Sequence, residues 1–166
     1  MSLATQRILI DTGPLVALFN CRDAHHQECR EQAQHLPGSV LTCLPVITEA
    51  AHLLSRHDTG IVHHLLAACR DGVYSLLPLD RSDIAAIDHL MDKYRNLRLD
   101  FADAALMHLA EREGIEQVFT LDHRDFSVYR TSAGKSLGFL PEFTCGDRRA
   151  NRTHFGAEIG PTWLVI

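Results

Sequence analysis

Four stretches of the chain place a carboxylate where an apolar run meets a turn or a helix. They are Ile8-Leu9-Ile10-Asp11-Thr12, Val46-Ile47-Thr48-Glu49, Asp100-Phe101-Ala102-Asp103-Ala104 and Val118-Phe119-Thr120-Leu121-Asp122, with Asp125 close behind the last. An acid beside an apolar run is desolvated at a cost unless a partner offsets it. Two carboxylates about 4 Å apart repel by roughly 4 kcal/mol at an effective dielectric near 20, and each further acid multiplies the repulsion. Protonation is one remedy and a cation is another. An oxygen-only donor set, with no nearby Cys and no ligand-spaced His, suits hard Mg2+ or Mn2+. Such an ion prepares water for attack on a phosphodiester, and where two ions bind the second steadies the leaving oxygen.

The elements that must gather these acids read as alternating strands and helices. A β-branched apolar run predicts a strand over 7–11, broken by Thr12-Gly13-Pro14, and Pro14 suits the first turn of a helix to Asn20. A helix over 23–36 follows, with Asp23 as candidate N-cap, then a strand over 39–43 and a helix opened by Pro45 that carries Glu49. A helix over 59–69, a strand over 73–77 ended by Pro78 and a helix over 82–94 continue the alternation. Residues 100–112 are mostly strong helix formers and apolar on nearly all sides, which predicts a central helix stopped by Gly114. Strands over 117–121 and 136–140 complete the pattern, and no repeat is evident.

Strands separated by helices imply an α/β domain with a mainly parallel sheet. Ligands of such sheets bind beyond the carboxyl ends of the strands. Asp11 and Asp122 fall at such ends, Glu49 and the Asp100/Asp103 pair fall near helix starts, and one sheet edge can hold all of them. Asp100 and Asp103, three apart, project from one helical face. Each acid also has a plainer use. Asp11 suits a turn cap, Glu49 a solvated partner of the helix dipole, Asp100 the N-cap of its helix, and Asp125 the cap of a turn into Phe126. Asp103 is therefore favoured over Asp100, and Asp122 over Asp125.

Composition bounds the rest. The length of 166 residues, with 46% hydrophobic and 22% charged residues, allows one domain with a sizeable core. We expect it over 1–143, with 144–166 as a tail of unknown order, since periodicity is lost from Thr144 until Trp163-Leu164-Val165-Ile166. The net charge of −5 gives little non-specific attraction to nucleic acid, although Arg95, Arg98, Arg124 and Arg130 lie near the acidic motifs. Five cysteines without a C-x-x-C pair argue against disulfides and structural zinc and predict reduced core thiols. Eleven histidines carry no H-E-x-x-H signature and no H-x-E followed by C-x-x-C, and His123, between Asp122 and Arg124, is the one placed to touch phosphate at a rim. The chain shows neither an apolar run long enough for a membrane span nor a secretory leader, so a cytoplasmic location is expected.

In their order and spacing, Ile10-Asp11-Thr12, Thr48-Glu49, Asp100-Phe101-Ala102-Asp103-Ala104 and Thr120-Leu121-Asp122-His123-Arg124-Asp125-Phe126 resemble the PIN-domain family, and especially its VapC-like toxin ribonucleases. The resemblance covers residues 7–141 and is most specific over 99–130. It implies a three-layer α/β/α sandwich and cleavage of RNA that depends on Mg2+ or Mn2+. It assigns catalysis to Asp11, Glu49, Asp103 and Asp122, which would also hold the metal, with Asp100 matching an additional acid of some members. Thr12 and Thr120 match hydroxyls that support the acids, Asp125 is left at the margin as a further support, and Arg98, His123 and Arg124 are candidate RNA contacts. The toxin branch further implies a homodimer and a cognate antitoxin whose C-terminal segment covers the acidic groove. A housekeeping RNA-processing nuclease and a non-catalytic binding module that keeps the fold are the competing readings. A haloacid-dehalogenase-like phosphatase lacks support, because position 13 is Gly where a second Asp is needed and no lysine sits suitably before Asp122.

Overall fold

The computed structural model describes residues 6–36, 38–97 and 99–140, without the side chains of Arg124 and Asp125. Arg98 and the tail 144–166 lie outside the described residues, so the expectations placed on them stay as they were.

Twelve elements follow in order: β1 (Gln6–Ile10), α1 (Thr12–Phe19), α2 (His26–Gln34), β2 (Gly38–Thr42), α3 (Leu44–Ser55), α4 (Thr59–Arg70), β3 (Ser75–Leu76), α5 (Arg81–Lys93), α6 (Phe101–Glu113), β4 (Gln117–Phe119), α7 (His123–Val128) and β5 (Gly138–Leu140). The sheet has five strands in the order β3-β2-β1-β4-β5 and every pairing is parallel. This is a three-layer α/β/α architecture. Ile8, Leu9 and Ile10 are buried without remainder, as a central parallel strand covered on both faces requires. Register places Leu9 opposite Leu41 of β2 and Val118 of β4.

Strand order explains where a site can form. The chain leaves β1 toward β2 and β3, then returns across the sheet to β4 and β5, so the direction of winding reverses between β1 and β4. That switch point opens a crevice at the carboxyl ends of the two strands. Asp11 follows β1 directly, and its amide donates to the Phe119 carbonyl of β4 at 3.0 Å. Helix α6 buries Ala102, Ala104, Ala105, Leu106, Met107, Leu109 and Ala110, as its apolar circumference predicts, and Gly114 ends it in the left-handed region at φ 63°.

Several local expectations need correction. Helix α2 starts at His26, not at about Asp23, because Asp23 accepts from the His25 amide (2.8 Å) and closes a turn instead of capping the helix. Residues 123–128 form α7, so Asp125 lies inside a short helix and not ahead of one. Strand β3 has two residues where five were expected, since at the sheet edge only Leu41 and Thr42 offer it partners. Cys29 and Cys43 are buried thiols, but Cys21 is exposed. Among the described residues no helix is long and apolar enough to cross a membrane.

Candidate active site

Asp11 stands at the switch point as the N-cap of α1. Its Oδ1 accepts from the Thr12 amide at 2.7 Å, and its Oδ2 accepts from Thr120 Oγ1 at 2.8 Å. The second bond reaches from the end of β1 to the residue after β4, so the sheet itself fixes this carboxylate. Only 6% of Asp11 is exposed. Burial pushes its pKa up to about 6 against the restraint of those two bonds, and the charges of Glu49 and Asp100 push the same way.

Thr12 turns from Asp11 to the next acid. Its hydroxyl donates to Glu49 Oε2 at 2.7 Å, which ties the second turn of α3 to the first turn of α1. The Glu49 carboxyl is raised above its ordinary range, first by burial and then by the nearby Asp100 charge, with the Thr12 bond opposing. At the start of α6, Asp100 is the N-cap. Its Oδ1 accepts from the Asp103 amide (2.9 Å), while Asp103 Oδ2 accepts from the Asp100 amide (3.3 Å), a reciprocal capping box. Asp100 is exposed and Asp103 is half-buried, so the capping role foreseen for Asp100 coexists with a place in the cluster. Asp103 is pushed up to about 7, by burial first and then by the charges of Asp11 and Asp100.

Asp11, Glu49, Asp100 and Asp103 thus form one mutually repelling group. Among the described residues no Lys, Arg or His forms an ion pair with any of them. Asp122 stands at the exposed border, where its amide donates to Thr120 Oγ1 at 3.0 Å. One hydroxyl therefore links Asp122 to Asp11. His123 is held at the same border, with Nε2 3.1 Å from the Thr120 carbonyl oxygen and its ring stacked on Phe139 at 5.5 Å. Arg130 donates to the carbonyls of Ser127 and Tyr129, and Arg95 pairs with Asp92 at 3.8 Å, so neither guanidinium turns to the acids.

The donor chemistry suits a hard divalent cation, since the group offers carboxylate oxygens and carries uncompensated negative charge. Among the described residues, however, no three acidic, His or Cys side chains are arranged as a ready set of ligands. Both Asp11 oxygens, Glu49 Oε2 and both carboxylates of the capping box already accept from protein donors. An oxygen has a second lone pair, so these bonds orient the acids without using up their capacity to bind.

A cavity of about 600 Å3 opens beside the acids, lined among others by Leu44, Thr48, Glu49, His52, Asp100 and Phe101. Leu44 and Phe101 were not singled out from the sequence. The available signal was position: each opens its helix with a large apolar side chain, Leu44 63% and Phe101 44% exposed.

The PIN domain family model matches residues 8–131, which include every acid of this group. The chain belongs to the PIN domain family. It is 26% identical over 136 residues to Ribonuclease VapC26 of Mycobacterium tuberculosis (strain ATCC 25618 / H37Rv), an overlap of 81% of this chain and 100% of that protein. Its fold matches the crystal structure of Mycobacterium tuberculosis VapC20, described as a sarcin-ricin loop cleaving toxin, with a TM-score of 0.67 at 20% identity over 71% of this chain and 92% of that one. The PIN assignment and the α/β/α fold thus agree with what the acidic motifs implied.

Proposed function

We propose that this PIN domain is an endoribonuclease that requires Mg2+ or Mn2+ and acts as the toxin of a VapBC-like toxin–antitoxin pair. The observation that carries this reading is the convergence of Asp11, Glu49, Asp100 and Asp103 at the switch point of the sheet, where burial and neighbouring negative charge raise the carboxyls of Asp11, Glu49 and Asp103. The likeness to Ribonuclease VapC26 supports RNA as substrate. Asp11, Glu49, Asp103 and Asp122 would hold the metal and form the catalytic set, with Asp100 as an additional ligand. When bound, the cation supplies the positive charge that favours water as nucleophile and the oxyanion as leaving group.

The chain's own residues do the positioning. The Thr12 amide and Thr120 hydroxyl hold Asp11 in one orientation, and the Thr12 hydroxyl holds Glu49 Oε2 toward the same crevice. Thr120 also accepts from the Asp122 amide, so displacement of either acid is felt by the other. Hydrolysis forms a bond from water oxygen to phosphorus, breaks the bond from phosphorus to the leaving oxygen, and delivers a proton to that oxygen. A homodimer, a cytoplasmic location and an antitoxin that covers the acidic groove belong to the same reading.

Incubation of the protein with RNA and Mg2+ or Mn2+ tests it. Cleavage should appear, stop with EDTA and be lost in Asp103→Asn. Cleavage that survives both treatments sinks the metal mechanism, and absence of cleavage with either metal sinks the nuclease.

A further inference from the structure

We propose that Phe101, which lines with Leu44 the cavity beside the acids, is the seat of an RNA base next to the cleaved phosphodiester, and so positions the substrate. The proposal rests on the nuclease reading above and names the part of the substrate that the apolar wall receives. Among the described Phe and Tyr residues Phe101 alone is classed as exposed, and it lies between two members of the acidic group, Asp100 and Asp103. The fold gives it no partner comparable to the buried neighbours that follow it in α6. Leu44 opens α3 in the same way, and the two side chains line one cavity together with Glu49 and Asp100.

A phosphodiester held at those carboxylates brings its adjoining base within one nucleotide of this wall. Bases of single-stranded RNA are captured by stacking on aromatic faces, and flipped bases are gripped between aromatic and apolar side chains. The acidic rim repels the phosphate backbone where no cation screens it, so an apolar grip on the base supplies attraction that the net charge of −5 does not. Thr48 and His52 place polar groups on the same wall, within the cavity that would receive the base edge. A second cavity of about 600 Å3 shares Leu44 and Phe101 but continues along Leu76 and Ile84, where no aromatic ring is offered. The stacking role therefore falls on Phe101.

The test uses a fluorescein-labelled single-stranded RNA 12-mer of mixed sequence, bound in Mg2+ to full-length protein carrying Asp103→Asn so that the RNA stays intact, with affinity read by anisotropy. Adding Phe101→Ala should weaken binding about 5- to 150-fold, the range for loss of one base–aromatic stack, while Phe101→Trp should keep it. A 12-mer of abasic ribose phosphates should bind both proteins equally, since it has nothing to stack. In the active protein, Phe101→Ala should lower kcat/KM with a raised KM, and an abasic nucleotide beside the mapped cleavage position should remove the difference from wild type. Equal affinity of the two proteins for the base-bearing 12-mer overturns the proposal, as does an equal loss on the abasic one. A change of oligomeric state in Phe101→Ala, by light scattering, overturns it in favour of a protein interface. If wild type cleaves RNA and Phe101→Ala cleaves it equally, only the stacking fails; if wild type does not cleave, the nuclease reading fails with it.

Discussion

Helices α5 and α6 begin with the same device and end in opposite electrostatic states. Asp80 caps α5 and exchanges hydrogen bonds with Asp83, just as Asp100 caps α6 and exchanges them with Asp103. Asp83 then meets His108 Nε2 at 2.7 Å and Arg112 at 2.9 Å, both from α6, while Arg112 also donates to the Pro78 carbonyl. The Asp80 amide and these two partners hold the Asp83 carboxyl well below the usual carboxylate range. Asp103 meets Asp11, Asp100 and Glu49 instead and is pushed up to about 7. The local motif is the same, Asp-x-x-Asp in both helices, so the difference lies in what the tertiary structure brings to the second acid. One box binds two helices together. The other meets only further negative charge.

The sharpest way to break this contrast is to neutralise each second acid in turn. Asp103→Asn should reduce kcat on RNA by roughly 10²–10⁴-fold, the usual weight of a group acting directly in the chemistry. In metal-free buffer it should leave the melting temperature unchanged or raise it, because a repulsion is removed. Asp83→Asn should do the reverse, lowering the melting temperature as Arg112 and His108 lose their shared acceptor while kcat per folded molecule is kept. Equal effects of the two substitutions on both readouts would dissolve the distinction.

Much of this was legible in the chain itself, and the exceptions share one cause. The Ile8-Leu9-Ile10-Asp11 run could only be a buried strand ending on an acid, and the alanine-rich stretch after Asp100 could only be a buried helix. Those two facts place Asp11 and Asp103 at one crevice once the sheet is parallel. What distinguishes the Asp80/Asp83 box is invisible locally, because it arrives from His108 and Arg112, 25 and 29 residues away from Asp83. The exposure of Phe101 was hidden for a similar reason. A large apolar residue at the start of a buried helix reads as core until the packing of its neighbours is known. The early start expected for α2 and the turn expected at α7 both fall where short polar side chains serve turns and caps equally well, whereas β3 is cut short by its place at the sheet edge.

A smaller effect should follow from Thr120→Val, which keeps the shape but removes the hydroxyl that donates to Asp11 and accepts from the Asp122 amide. Loss of such a supporting bond typically costs about 10- to 100-fold in metal affinity or activity. An unchanged dependence of rate on Mn2+ concentration in this variant would show that the hydroxyl orients nothing of consequence.

The gentlest probe is pH. Asp11 and Asp103 have folded-state pKa values raised from 3.8 to about 6 and about 7, so between those limits the metal-free native state holds more protons than the unfolded chain. Stability without metal should therefore fall as pH rises from about 4 to about 7 and level off above, and Asp103→Asn should flatten part of that slope. Asp83 has the opposite sign: its contribution is present above pH 3.8 and is lost as pH falls further. Guanidinium or thermal melts across pH 3–8 in EDTA separate the two boxes, and a metal-free stability that climbs from pH 4 to 7 would contradict the assignment.

If the acids at the switch point form a cation site, the metal-free protein must take up a divalent ion there. Calorimetric titration of Mn2+ into metal-free wild-type protein and Asp103→Asn at pH 7 tests it most directly. Saturable binding to wild type with release of protons from the raised carboxyls, weakened tenfold or more in the variant, is the predicted result. Identical titrations of the two proteins, or no binding to either, would contradict it.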